Sequence, residues 1–150
     1  MKTLQRRAFS AASAIIVITG AVYSWMKYWL VTDDPFAVVN HPLQPLVLHA
    51  HVLAGPVFLI LFGIVFDAHV SRALRAAGGA RRSGVTSLVT VLTMVASGYL
   101  LQVATGDQAR RVMVVVHLIS GALFAVSYLT HLVTAWRRWR ALSQPQPARS

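Results

Sequence analysis

The sequence predicts an all-α integral membrane protein, a four-helix bundle with both termini on the cytoplasmic side. Three observations carry that expectation. The 150 residues are 56% hydrophobic and only 12% charged, with a mean hydropathy of +0.59; a soluble domain carries about 25% charged residues. The charges fall in clusters separated by four long uncharged runs, each near the roughly 20 residues that cross a bilayer core. The formal net charge of +10 comes from 14 Lys and Arg against 4 Asp and no Glu. In a soluble chain such an excess would point to nucleic acid, but arginines grouped between apolar runs do not form that kind of surface. A cytosolic globular enzyme and a nucleic-acid partner are both excluded. The absence of Cys further excludes disulfides, thiolate metal sites, iron–sulfur clusters and the C-x-x-C-H attachment of covalent haem.

The first span runs from Ala8 to about Leu30 and is interrupted near its end by Lys27. Lys2, Arg6 and Arg7 ahead of an apolar stretch resemble a secretory leader. The run is long, however, with Tyr23, Trp25, Tyr28 and Trp29 near its end and no A-x-A-like cleavage site, so it is expected to be retained as a helix. The second uncharged run covers Pro35–Phe66, with the helix expected over Leu46–Phe66. The third span is Ser83–Gly106 and the fourth Val112–Trp136, followed by a short flexible tail at Gln144–Ser150. No loop has the length of a second domain, so residues 1–150 are one transmembrane unit.

Orientation follows from the asymmetry of Lys and Arg. The N-terminus, the loop around Arg72–Arg82 and the C-terminal tail hold 11 of the 14, leaving Lys27, Arg110 and Arg111 with Asp33, Asp34 and Asp107 on the other side. The basic side is the cytoplasmic one, so the second and fourth helices run parallel, both from the outer face inward. Trp136 and Trp139 fit an inner aromatic belt, and Tyr28 and Trp29 an outer one. The basic clusters contact anionic lipid or a partner protein.

Five of the six histidines lie in or at the ends of the second and fourth helices. An ionisable residue inside a span is costly and marks a functional candidate. His51 and His69 are 18 residues apart, five whole turns, so they share a face about 27 Å apart along the axis. His117 and His131 are 14 apart, about 21 Å and some 40° off a common face. On parallel helices the four pair by depth, His51 with His117 near the outer face and His69 with His131 near the inner one. Two facing imidazoles can hold one iron porphyrin, as cofactor sites in bundle cores do. His51 is followed by Gly55 in HVLAG and His117 by Gly121 in HLISG, and a glycine lets a porphyrin edge approach the backbone. The two helices read as a weak internal repeat, HVLAGPVFLILFGIVFDAHV against HLISGALFAVSYLTHLV, with about one extra turn in the first. The resulting mismatch of about 6 Å would be absorbed by a kink at Pro56. Each histidine taken alone also has a plainer reading, as an interfacial residue or a hydrogen-bond partner of a neighbouring helix.

The remaining features read more simply. Thr86, Thr90, Thr93 and Ser97 lie along one face of the third helix and suit interhelical packing and hydrogen bonding. Gly20, Gly63 and Gly98 read as close-packing positions. His41 and His49 are either interfacial or participants in quinol oxidation near the outer haem. No Asp or Glu lies inside a span, so no carboxylate proton relay is expected.

Four helices with H-x13-H on the last, His117 and His131, resemble the b-type cytochrome subunits of formate dehydrogenases and nickel–iron hydrogenases. The HxxxG and terminal-histidine arrangement is similar to that of small four-helix cytochromes associated with flavinylated electron-transfer proteins. The resemblance covers nearly the whole chain. It implies haem b on paired histidines and electron exchange between quinones and a partner at one membrane face. In the formate dehydrogenase subunits a first-helix histidine is a ligand. The first span here has none, and the second helix would supply both partners, as in the cytochrome b of respiratory bc complexes.

The expected protein is therefore a bacterial inner-membrane cytochrome b with two haem groups, or one. It would be an electron-transfer subunit of a larger oxidoreductase assembly rather than a self-contained enzyme. The competing readings are a haem-free membrane anchor for a partner enzyme and a small transporter. The latter is disfavoured by the lack of charged or broken helices at the midplane.

Overall fold

The computed structural model describes residues 3–66, 71, 75 and 79–142. Four long helices account for nearly all of them: α1 (Thr3–Tyr28), α2 (Gln44–Val65), α3 (Gly79–Val103) and α4 (Asp107–Leu142). Each contains a stretch long and apolar enough to cross a membrane, and the described residues include no strand. The chain is a multi-pass membrane protein, and only such elements satisfy every backbone polar group without water. Each helix except α2 starts or ends in polar sequence beyond its apolar run. At about 1.5 Å per residue the 36 residues of α4 reach about 54 Å, well past a hydrocarbon core of about 30 Å. Its last turns are held by Arg140 stacked over Trp136, 3.8 Å from the ring centre.

The helices are arranged as two antiparallel hairpins. Helix α1 packs along α2 and α3 along α4, and the most extensive backbone contact between the hairpins is a narrow one between α1 and α4. The link between α1 and α2 is closed by Asn40, whose side-chain amide donates to the Lys27 carbonyl at 3.0 Å while its own N–H donates to Gln44 Oε1 at 3.2 Å. Pro45 then stands at the start of α2, where a missing N–H costs nothing. Pro56 lies inside α2, which continues through it as one helix.

The packed core occupies the half of the bundle nearer the termini. Ala12, Ile16, Phe58, Phe62, Val91 and Met94 form a single buried cluster. Phe58 is 0% exposed, with ring centres of Phe124 at 5.4 Å, Phe9 at 5.7 Å and Phe62 at 6.2 Å. The Tyr128 hydroxyl donates to the Ser10 carbonyl at 2.8 Å, pinning α4 to α1. The opposite faces carry exposed large residues such as Leu53, Ile60 and Val126, which contact lipid. Toward the interhelical loops 29–43 and 104–106 the buried residues are far fewer, chiefly Met26 and Gln44. This loop end contains His41, His49, His51 and His117.

In lipid the unfolded helix also keeps Phe58 out of water, so the transfer component of burial is largely absent and the cavity component remains. Phe58→Ala is therefore expected to destabilise the bundle by about 2 kcal/mol in a detergent unfolding titration. Leu53→Ala, on the lipid face, should change it by less than about 0.5 kcal/mol. Equal losses from the two would contradict this placement of the core.

Candidate functional site

His51 and His117 face one another between the two hairpins. Their ring centres are 6.1 Å apart and the ring planes meet at 79°. Both rings are half-buried, one on α2 and the other on α4. This is the nearer-to-the-loops pairing that depth along parallel helices predicts.

Each ring is held by the other helix of its own hairpin. The Thr19 hydroxyl on α1 donates to the Ile15 carbonyl at 2.7 Å, so at 3.0 Å from His51 Nδ1 its oxygen is the acceptor and the ring nitrogen the donor. On α3 the Ser97 hydroxyl donates to the Thr93 carbonyl at 2.7 Å, and His117 Nδ1 lies 3.0 Å from the Met94 carbonyl and 3.2 Å from Ser97 Oγ. A carbonyl only accepts, so His117 also carries its proton on Nδ1. In both rings Nε2 is then the free lone-pair site. This is the tautomer logic of a metal-ligating histidine, whose second nitrogen is fixed by an outer hydrogen bond.

Glycine brings each hydroxyl-bearing helix close enough. A Cβ on Gly20 would lie 2.9 Å from His51 Cε1, and one on Gly98 2.9 Å from His117 Cε1. Both contacts are tighter than a real side chain tolerates, so the imidazoles lie directly on backbone. Gly20 and Gly98 are the close-packing positions expected, and what packs on them is an imidazole; Gly63 is not one, since a Cβ there would meet open space. Ser97, expected to serve interhelical hydrogen bonding, does so with His117. Each seat is a hydroxyl–glycine dipeptide, Thr19-Gly20 on α1 and Ser97-Gly98 on α3, but Ser83-Gly84 and Ser120-Gly121 carry the same dipeptide, so it does not by itself single out the seats.

The repeat continues below the histidines. His51, Gly55, Phe58 and Phe62 on α2 match His117, Gly121, Phe124 and Tyr128 on α4, in steps of four, three and four residues. Gly55 and Gly121 have open space where a Cβ would stand, which fits their expected role beside a flat ligand. The phenylalanines of the two helices close the space one turn deeper, ring against ring.

The second expected pair is not brought together among the described residues. His131 is exposed, and His69 lies outside the described residues. In the register that equates His51 with His117, the counterpart of His131 is Val65, which is buried. His49 is exposed on α2. His41 accepts the Leu43 N–H on Nδ1 at 3.1 Å, shaping the turn that leads into α2.

The described residues contain no group of three or more His, Cys, Asp or Glu side chains able to hold a bare metal ion. Two imidazoles suffice for an iron that already has four in-plane nitrogens. The chain matches no family model, no curated protein and no solved structure.

Nitrogen-15 spectra of histidine-labelled protein at alkaline pH should show the Nδ1–H tautomer for both His51 and His117. Thr19→Val should perturb His51 alone. Ser97→Ala should leave His117 in the same tautomer, because the Met94 carbonyl remains. Nε2–H imidazoles at both positions would contradict the assignment.

Proposed function

We propose that the chain is a b-type cytochrome of a bacterial inner membrane, holding haem b between His51 and His117 and passing electrons between the quinone pool and a partner redox protein. The observation that carries this reading is the imidazole pair, two rings 6.1 Å apart centre to centre. Metal–imidazole bonds of about 2 Å on each side of one metal, added to the ring radii, require a separation of about 6 Å. When bound, haem supplies a one-electron couple inside the membrane. The protein does the rest. His51 and His117 would hold it from opposite hairpins through Nε2, and Thr19, Met94 and Ser97 would keep those nitrogens unprotonated. Gly55 and Gly121 leave room for a flat ring system at the backbone. Phe58 and Phe124 exclude water and side chains from its deeper edge.

The geometry supports one haem per chain at this place. A second, at His69 and His131, would break the repeat that relates the two hairpins. The orientation with both termini cytoplasmic rests on the 11 basic residues that the sequence places in the N-terminus, the Arg72–Arg82 segment and the C-terminal tail.

Protein purified from haem-replete cells should give a dithionite-reduced minus oxidised spectrum of b type, with a pyridine haemochrome ratio near one haem per chain. His51→Ala and His117→Ala should each abolish it, and His131→Ala should retain it. Gly121→Leu offers a sharper comparison. A Cβ there meets open space in the protein, so the fold should survive while haem content falls at least tenfold. A haem-free wild-type protein would overturn the reading and favour a membrane anchor for a partner enzyme.

A further inference from the structure

Three basic residues are not explained by the charge asymmetry that orients the bundle. Lys27, Arg110 and Arg111 lie at the loop end, opposite the other 11. The fold gathers them. Together with Asp107 and Val114 they line one cleft of about 460 Å³ between the end of α1 and the start of α4. Asp107 is the single acidic side chain among the described lining residues, so the cleft carries an excess of two positive charges. The Lys27 ammonium lies 5.6 Å from the Tyr23 ring centre and 5.7 Å from that of Tyr28, a cation–π arrangement that holds it in place.

The cleft is in register with the histidine pair. Lys27 follows Gly20, the backbone under His51, by seven residues, and Arg110 precedes His117 by seven. Seven residues are close to two turns, so each cation stands on the same helix face about 10 Å toward the loop end. Val114 occupies the intermediate turn of α4 and lines the cleft. The packed apolar core lies on the other side of the histidines. A flat ligand on His51 and His117 would therefore have an apolar floor of phenylalanine and a basic rim.

We infer that Lys27 and Arg110, with Arg111 at the rim, bind the propionate carboxylates of the haem held by His51 and His117. The inference rests on the haem reading and adds the polar end of that site. Haem has two carboxylates on one edge, and near the membrane interior a carboxylate must be paired or reach water. Arginine forms bidentate charge-assisted bonds with carboxylate, and lysine offers a point charge. The excess of two positive charges matches the two carboxylates. The same cations would also suit the phosphate of an anionic lipid, and the test separates the two.

The measurement is the rate of haem transfer from the purified holoprotein to excess apomyoglobin. It is made in nanodiscs of phosphatidylcholine and in nanodiscs containing phosphatidylglycerol. Lys27→Gln/Arg110→Gln is expected to lose haem at least tenfold faster than wild type in both lipids. Lys27→Arg, which keeps the charge, should stay within about threefold of wild type. Arg110→Lys should fall between wild type and the double variant because it keeps the charge and loses the bidentate fork. Arg137→Gln, at the terminal end, should match wild type. Variant rates equal to wild type, with the b-type spectrum intact, overturn this inference alone. A difference confined to phosphatidylglycerol discs assigns the cleft to lipid phosphate and also overturns it. A wild-type protein with no b-type spectrum overturns the haem reading and this inference together.

Discussion

The site depends on one kind of interaction, an imidazole Nδ1–H donated to an oxygen on the neighbouring helix of the same hairpin. For His117 the acceptor is the Met94 carbonyl, and for His51 it is the Thr19 hydroxyl when that hydroxyl donates to its own helix, where the Ile15 and Ile16 carbonyls are both in reach. These bonds do three things at once. They hold each hairpin together at its loop end, orient the rings toward the space between hairpins, and leave Nε2 unprotonated. Glycine at positions 20 and 98 is the steric condition for them, because any Cβ there would displace the ring.

From that constraint the division of the bundle follows. Near the termini the hairpins are joined by interlocked phenylalanine rings, the Tyr128–Ser10 bond and the small cluster around Ile16 and Met94. Near the loops they touch through the two histidines and enclose a basic cleft. One half is the mechanical joint, and the other is the half in which we propose a ligand. The correspondence of Thr19-Gly20 with Ser97-Gly98, and of His51-Gly55-Phe58-Phe62 with His117-Gly121-Phe124-Tyr128, makes the chain an approximate tandem pair of hairpins. Each hairpin contributes one imidazole on the same structural terms.

Much of this was legible in the sequence, for physical reasons. Charge-free runs locate spans because charge is costly in hydrocarbon, and all four appear where the runs are. Helix ends were misjudged at Thr3–Arg7, Gly79–Arg82, Asp107–Arg111 and Arg137–Leu142 because hydropathy registers the membrane-crossing stretch and not the helix that continues beyond it. The His51–His117 pair could be found because the HxxxG pattern occurs on two helices of the same direction. The seats of those rings could not, since which side chains meet across two helices depends on rotation that composition does not encode. Depth and helix face also paired His69 with His131. Matching the phenylalanines sets Val65 opposite His131 in the repeat, and His69 lies outside the described residues.

The central claim, that two imidazoles from opposite hairpins ligate one haem at the mutual angle set by their Nδ1 anchors, is tested most directly by electron paramagnetic resonance of the oxidised protein. Ring planes 79° apart predict a highly anisotropic low-spin ferric signal, the signature of near-perpendicular axial imidazoles. A high-spin signal would mean that the two histidines do not both bind. A rhombic low-spin signal of parallel imidazoles would mean that Thr19 and Met94 do not set the angle. Either result would contradict the account.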